Sequence, residues 1–243
     1  MQNQYDPRTA SRIDPAISVG VPSATRDAGL RSYMLKVYNY MASGVLLTGI
    51  VALLFASSGM AAQVMATPLK WLIILAPLAI VMAMSFGVNR MKESTLQALF
   101  WSFAVLMGLS MSTIFLVYTG TSIAQTFFAV SGAFLGLSLY GYTTKKDLSG
   151  LGTFLIMGVT GLLVAMLVNL FLQSTAMGYA ISAIGVLLFA GLTAYDTQKI
   201  KSMYAHIAGT DMMGKAAIMS ALTLYLDFIN MFQFMLAFMG DRR

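Results

Sequence analysis

The chain has 243 residues, of which 58% are hydrophobic and only 10% charged, and its formal net charge is +6. An ordinary soluble domain carries about 25% charged residues, so this composition excludes that class. The apolar runs are continuous rather than alternating, which argues against a β-barrel. The absence of cysteine excludes disulfides, thiol chemistry and Cys-ligated metals.

The first segment, residues 1–30, carries three Arg and three Asp and contains no sustained apolar run. This pattern predicts a disordered arm. The first apolar stretch begins only near Tyr38, too far along the chain for a cleavable signal peptide. Residues 31–243 are expected to form a single transmembrane domain.

Seven stretches in that domain approach or exceed the roughly 20 apolar residues that a helix needs to cross the hydrocarbon layer. They are predicted at residues 37–56, 71–88, 96–118, 123–143, 152–172, 178–195 and 216–238. The fourth contains a G-x-x-x-G pair, Gly132 and Gly136, which favours close helix packing. The predicted fold class is therefore an all-α integral membrane protein with seven transmembrane helices.

The basic residues indicate the orientation of these helices. Twelve of the 15 fall on one face, in the arm and on alternate connections. They are Arg8, Arg12, Arg26, Arg31, Lys36, Arg90, Lys92, Lys145, Lys146, Lys199, Lys201 and Lys215. The positive-inside rule places the arm in the cytoplasm and the C-terminus outside. The basic excess is thus topological, and no nucleic-acid partner is expected.

Two acidic residues fall within or at the end of predicted spans. Asp196 closes the sixth span, and Asp227 lies about halfway along the seventh. A charged Asp near a helix centre costs about 2.5–3.5 kcal/mol on insertion scales, and such residues commonly mark ion paths, proton relays or sensors. The alternative is that a neutral Asp227 only hydrogen-bonds to its neighbours.

A polar stripe runs along the seventh span. At 100° per residue, Ser220, Thr223, Asp227 and Asn230 fall on one face together with Ala216. This face predicts that the seventh helix lies at the centre, wrapped by the other six, and that its polar side chains line a pore or a packing interface. The alternative is that Ser220, Thr223 and Asn230 only form hydrogen bonds across helices, and for Ser220 and Thr223 this is the favoured interpretation.

Arg90 ends the second predicted span on the face where Asp196 lies. An Arg–carboxylate pair there is a candidate latch. The alternative is a topology-setting charge paired with Glu93 or with lipid phosphate. His206, the only histidine, is expected to be solvated in a polar loop over residues 198–214. One histidine cannot form a zinc site unaided.

Two other classes of membrane protein require residues that this sequence lacks. A retinal-binding pump needs a Lys in its last span, and residues 216–238 contain none. An intramembrane aspartyl protease pairs Tyr-Asp with Gly-x-Gly-Asp. Tyr195-Asp196 matches the first half, but Leu224-Tyr225-Leu226-Asp227 lacks the glycines that let substrate backbone approach. We expect no enzymatic activity and no cofactor.

Two motifs carry a family resemblance. Ala194-Tyr195-Asp196-Thr197-Gln198 ends the sixth span, and Leu224-Tyr225-Leu226-Asp227-Phe228-Ile229-Asn230 lies in the seventh. With these motifs and seven spans the chain resembles the Bax inhibitor-1 family. The resemblance implies a central seventh helix, Asp196 and Asp227 as a pH-sensitive latch with Arg90 as a possible partner, and leakage of calcium.

The leading hypothesis is therefore a pH-sensitive calcium leak channel. Two carboxylates supply few of the six to eight oxygens that calcium prefers, so Asp196 and Asp227 are expected to bind it weakly. The alternative is a regulator without transport activity that binds a membrane protease, a cell-death factor or another membrane protein. Besides the lipid bilayer, the expected partners are calcium and protons. The expected location is the cytoplasmic (inner) membrane of a bacterium, or an organelle membrane in a eukaryote.

Overall fold

The computed structural model describes residues 23–243, and within that part every regular element is a helix. Residues 1–22, most of the predicted arm, lie outside the described part. The helices are α1 (Ser23–Ser57), α2 (Met60–Met65), α3 (Leu69–Gly87), α4 (Glu93–Met111), α5 (Ile114–Val117), α6 (Gly120–Thr143), α7 (Ser149–Leu172), α8 (Thr175–Ile207) and α9 (Met212–Met239).

Seven helical segments in the described part are long and apolar enough to cross a membrane, which confirms the predicted number. Five of them agree with the predicted bounds to within about four residues. The third span consists of α4 followed by the short helix α5, and α2 is a further short helix between α1 and α3. Hydrophobic periodicity in the sequence does not predict α2 and α5, because helices of four to six residues are too short to show a repeat.

The first and sixth spans are longer than predicted. Helix α1 begins at Ser23, so residues 23–30 are helical rather than part of a disordered arm. Helix α8 continues to Ile207, and only residues 208–211 separate it from α9, so the predicted polar loop over 198–214 is wrong. Ile200 and Tyr204, one turn apart, are buried and give this polar extension an inner face. His206 lies exposed in its last turn.

Helix α9 is the most buried span. Half of the residues in its apolar window are buried, against a third or less in every other span that the structure describes. It packs extensively against α1, α4, α6 and α8. The narrower statement, that all six other spans wrap it, stays a prediction. Helices α3 and α7 are the least buried spans and expose large apolar side chains, such as Phe86 and Phe171, on the outside of the bundle.

The close contact of α6 is made by a different glycine from the predicted pair. Gly132 and Gly136 face open space, so the G-x-x-x-G pair makes no close contact with the other described helices of this chain. A Cβ atom at Gly141 would instead collide with the carbonyl oxygen of Ala194. Glycine therefore lets the backbones of α6 and α8 approach each other closely two residues before Asp196.

Candidate functional site

The two membrane aspartates meet on the facing sides of α8 and α9. The side chains of Asp196 and Asp227 are 9% and 4% exposed, and their carboxyl groups lie within hydrogen-bonding range of each other. Asp196 is an interior residue of α8, 11 residues before its end, rather than the last residue of the span. The family resemblance implies that these two acids form a pair, whereas their separation along the sequence cannot by itself place them on facing sides of two helices.

One oxygen of this pair has no partner. Oδ2 of Asp227 is buried and accepts no hydrogen bond from any residue in the described part of the chain. A buried polar atom without a partner costs about 1–3 kcal/mol, and more when it is charged. A proton shared between the two carboxyl groups, or a bound cation, would relieve this cost. The arrangement is therefore chemically suited to proton exchange or to weak cation binding.

Lys199 is the basic residue that acts electrostatically on Asp196. It follows Asp196 by three residues on α8, and its Nζ lies 5.8 Å from the ring centre of Tyr195. Residues three apart on a helix are neighbours, so the spacing alone could have identified Lys199 as part of the site. Because the ammonium group is attached to the same helix as Asp196, it accompanies that carboxyl group in any helix movement.

Arg90, the predicted latch partner, lies exposed in the turn that follows α3. Glu93, its alternative partner, instead pairs with Lys36 at 3.0 Å, and this is the one salt bridge in the described residues. Arg90 therefore forms no ion pair with Asp196 or with Glu93 in the structure. Its role as a latch partner stays a prediction.

The polar side chains along α9 form two kinds of hydrogen bond, one to another helix and one within α9. Ser220 lies 3.2 Å from the hydroxyl of Tyr33 on α1, so it packs across helices. Thr223 and Asn230 instead donate to carbonyl oxygens of their own helix, at 3.2 Å and 2.8 Å respectively. The amide oxygen of Asn230 remains available, one turn from Asp227. The pore role of the stripe stays a prediction, and Ser220 has the clearest packing role.

A chain of hydroxyl groups lies beside Asp196. The Tyr38 hydroxyl is 2.6 Å from Oγ of Ser138, which is 2.9 Å from Oγ1 of Thr197. The next residue, Gln198, donates to the carbonyl of Lys146 and accepts from the backbone of Leu148. These bonds fix α8 to α1, α6 and the α6–α7 connection at the level of Asp196. Sequence reasoning missed them, since nothing in the pattern pairs residues so far apart.

The site lacks the ligands of a strong metal centre. Across residues 23–243 no group of three or more His, Cys, Asp or Glu side chains converges. Calcium at Asp196 and Asp227 would need carbonyl oxygens and water to complete its shell. The residues present fit a transient cation better than a stored one.

A seven-span helical bundle with two facing carboxyl groups buried between its last two helices defines a multi-pass membrane protein with an intramembrane acid pair. The chain belongs to the Bax inhibitor-1 family, because the family model for "Inhibitor of apoptosis-promoting Bax1" matches residues 30–243. The match covers all seven spans and both aspartate motifs.

Individual bacterial proteins are similar over almost their whole length. A protein of Rickettsia prowazekii is 52% identical over 221 residues, which are 90% of this chain and 93% of that protein. The Escherichia coli "Inner membrane protein YbhL" is 46% identical over 220 residues, 89% of this chain and 94% of its own. A Caulobacter vibrioides protein is 46% identical over 230 residues, 89% and 91% of the two chains.

Proposed function

We propose that this protein is a pH-sensitive calcium leak channel of a bacterial inner membrane, with its N-terminus in the cytoplasm. The observation that carries the proposal is the contact between the buried carboxyl groups of Asp196 and Asp227. The similarity to an E. coli inner membrane protein supports the location. The distribution of Lys and Arg along the sequence supports the orientation.

The carboxyl pair provides the pH sensitivity. Two buried carboxyl groups in contact with each other do not both ionise cheaply, so they share a proton and titrate as a coupled unit. With one proton, a hydrogen bond joins α8 to α9 at the centre of the bundle. Without it, two negative charges repel each other or attract a cation. The proton therefore controls both the contact between the helices and the affinity of the site for calcium.

An ion pair between Arg90 and Asp196 is an alternative to the latch formed by the shared proton of Asp196 and Asp227. The direction in which flux changes with pH distinguishes these two latches. If the acid-to-acid hydrogen bond closes the path, flux rises as the pH rises and the shared proton is lost. If an ion pair between Arg90 and Asp196 closes it, flux rises as the pH falls and the carboxylate is neutralised. Arg90→Gln abolishes the pH dependence only in the second case.

Calcium entry into liposomes that contain the purified protein tests the proposal. Flux should exceed that of empty liposomes and should vary between about pH 5 and pH 8, a range in which most proteins stay folded. Asp196→Asn and Asp227→Asn should each remove most of this variation, because an amide side chain does not change its charge in this pH range. Flux that survives both substitutions with its pH dependence intact contradicts the mechanism.

Asp147 provides a matched control acid outside the spans. It is exposed, and hydrogen bonds from the Ser149 side chain and backbone hold the pKa of its carboxyl below the ordinary value. It is therefore ionised throughout the tested range and cannot generate the pH dependence. Asp147→Asn should leave the flux profile unchanged. No flux above empty liposomes for the wild-type protein would instead favour regulation of a membrane partner.

A further inference from the structure

An elongated crevice lies between α7, α8 and α9, on the side of the bundle where α7 turns into α8. It consists of two adjoining cavities of about 600 and 350 Å³. Both are lined by Asn169, Gln173, Gly178, Ser182 and Ala237, so the two form one continuous space. The outer part opens near Thr175 and Tyr179, and the inner part reaches Asn230.

Two ring contacts fix the depth of the inner part. Tyr179 meets Phe238 at 6.4 Å between ring centres, and Phe189 stacks on Phe234 at 5.9 Å, so α8 and α9 run antiparallel. Phe189 follows Thr175 by 14 residues on α8, or about 21 Å along the helix. That depth lies well inside a hydrocarbon layer of about 30 Å. Residues next to Phe234 on α9 lie at the same level.

Most of the side chains that line the inner cavity are apolar, but two primary amides, those of Gln233 and Asn230, also line it at this depth. Gln233 lines it, is exposed, and makes no side-chain hydrogen bond to any other described residue. Asn230 lines the deepest part and uses only its amide nitrogen, which donates to the Leu226 carbonyl. A primary amide left without a partner in hydrocarbon costs several kcal/mol. Lipid chains therefore fit this part of the crevice poorly, whereas water satisfies both amides.

We propose that this crevice is a water-filled vestibule through which small hydrated cations reach Asn230, one helical turn from Asp227. The amide oxygens of Asn230 and Gln233 in its deep lining are of the kind that hydrate or coordinate hard cations. The one charged lining residue identified in the described part is Arg242 at the mouth, where its guanidinium lies 5.9 Å from the Tyr118 ring centre.

The role of the vestibule in calcium entry rests on the proposed function, but its water content does not. Asp227 itself does not line the crevice. The space therefore ends at Asn230, and a barrier of about one turn of α9 separates it from the acid pair. The vestibule would supply ions to the latch from the face on which the α7–α8 turn lies.

Cysteine accessibility in native membranes tests the proposal directly, because the chain contains no cysteine. A membrane-impermeant cationic methanethiosulfonate reacts with thiolate, which forms only where water reaches the sulfur. We would introduce Gln233→Cys and Asn230→Cys one at a time. Thr175→Cys at the exposed α7–α8 turn reports which membrane face the reagent reaches.

Lipid-facing residues at similar depth provide matched controls. Leu187 on α8, 71% exposed, lies within about one turn of the level of Gln233. Phe154 on α7, 67% exposed, precedes Leu155, which packs against Gly191 near the level of Asn230. Neither residue lines the crevice. Leu187→Cys and Phe154→Cys are therefore open to lipid rather than to the proposed water.

We expect Gln233→Cys and Asn230→Cys to react at least about tenfold faster than their controls, from the face that labels Thr175→Cys, because only these thiols can ionise in water. Equal, slow labelling of Gln233→Cys and Leu187→Cys would overturn the proposal and leave lipid as the occupant. Thermal unfolding curves like that of the wild type confirm that each variant is folded. Cysteine labelling does not depend on calcium, so the two proposals can fail separately. Labelling of Gln233→Cys without calcium flux contradicts only the channel proposal. Calcium flux without labelling contradicts only the water-filled vestibule.

Discussion

The hydroxyl of Tyr225 lies 2.6 Å from Oγ1 of Thr48, which in turn donates its proton to the Ala104 carbonyl at 2.8 Å. Thr48 has one proton to give, so Tyr225 is the donor in the first bond. The three residues belong to α9, α1 and α4, and the Tyr225 ring packs edge-on against Phe103 at 5.1 Å between centres. This relay joins three spans deep in the bundle.

Two substitutions in this relay should lower the free energy of unfolding by different amounts. Tyr225→Phe removes the donor together with its bond, and we expect a loss of about 1 kcal/mol. Thr48→Val leaves the buried Tyr225 hydroxyl without a partner, and we expect about 1–3 kcal/mol. Thermal unfolding in detergent should therefore show a lower midpoint for Thr48→Val than for Tyr225→Phe. The reverse order would contradict the assigned direction of the bonds.

Glycine at position 141 should be indispensable, whereas glycine at position 132 should not. In Gly141→Ala the added methyl group meets the Ala194 carbonyl, so α6 and α8 must separate near Asp196. We expect a lower unfolding midpoint and altered calcium flux. Gly132→Ala places the same methyl group in open space and should leave both unchanged. Equal effects of the two substitutions would contradict a special packing role for Gly141.

Ser138 joins two hydroxyl partners, so its removal should cost more than that of a serine bonded only to its own helix. Ser138→Ala leaves Tyr38 and Thr197 without this partner, and we expect a loss of about 1–3 kcal/mol. Ser102→Ala is the control, since its hydroxyl is exposed and bonds only to the Ala98 carbonyl. Urea or thermal unfolding of both variants measures the difference. Comparable losses would exclude a linking role for Ser138.

The salt bridge between Lys36 and Glu93 should contribute little. Both side chains are 44% exposed, and exposed ion pairs are worth about 0–1 kcal/mol. Lys36→Met should therefore change the unfolding midpoint only slightly. If Arg90 replaces Lys36 as the partner of Glu93, high salt will lower the stability of this variant. No salt dependence would show that Arg90 forms no such pair.

The sequence predicts the number and type of the spans because hydrocarbon imposes a length and an apolar composition on each of them. It identifies Asp196 and Asp227 because acids are rare in such segments. It does not predict the extension of α8 to Ile207, since that helix is stabilised by burial of Ile200 and Tyr204 rather than by an apolar run. Contacts such as that of Gly141 with Ala194 depend on the relative rotation of two helices, which composition does not encode. Gln233 carried a usable signal, an amide within an apolar span, but only the crevice reveals what that amide faces.

The four-residue connection between α8 and α9 also affects how the protein is made. An isolated helix with a charged Asp near its centre enters the bilayer at a cost of about 2.5–3.5 kcal/mol. Because only residues 208–211 separate them, α8 and α9 can enter the bilayer together as one helical hairpin. In such a hairpin the carboxyl groups of Asp196 and Asp227 would face each other during insertion, as they do in the folded bundle. The same pairing of Asp196 with Asp227 that carries the proposed function would thus also ease the insertion of both helices.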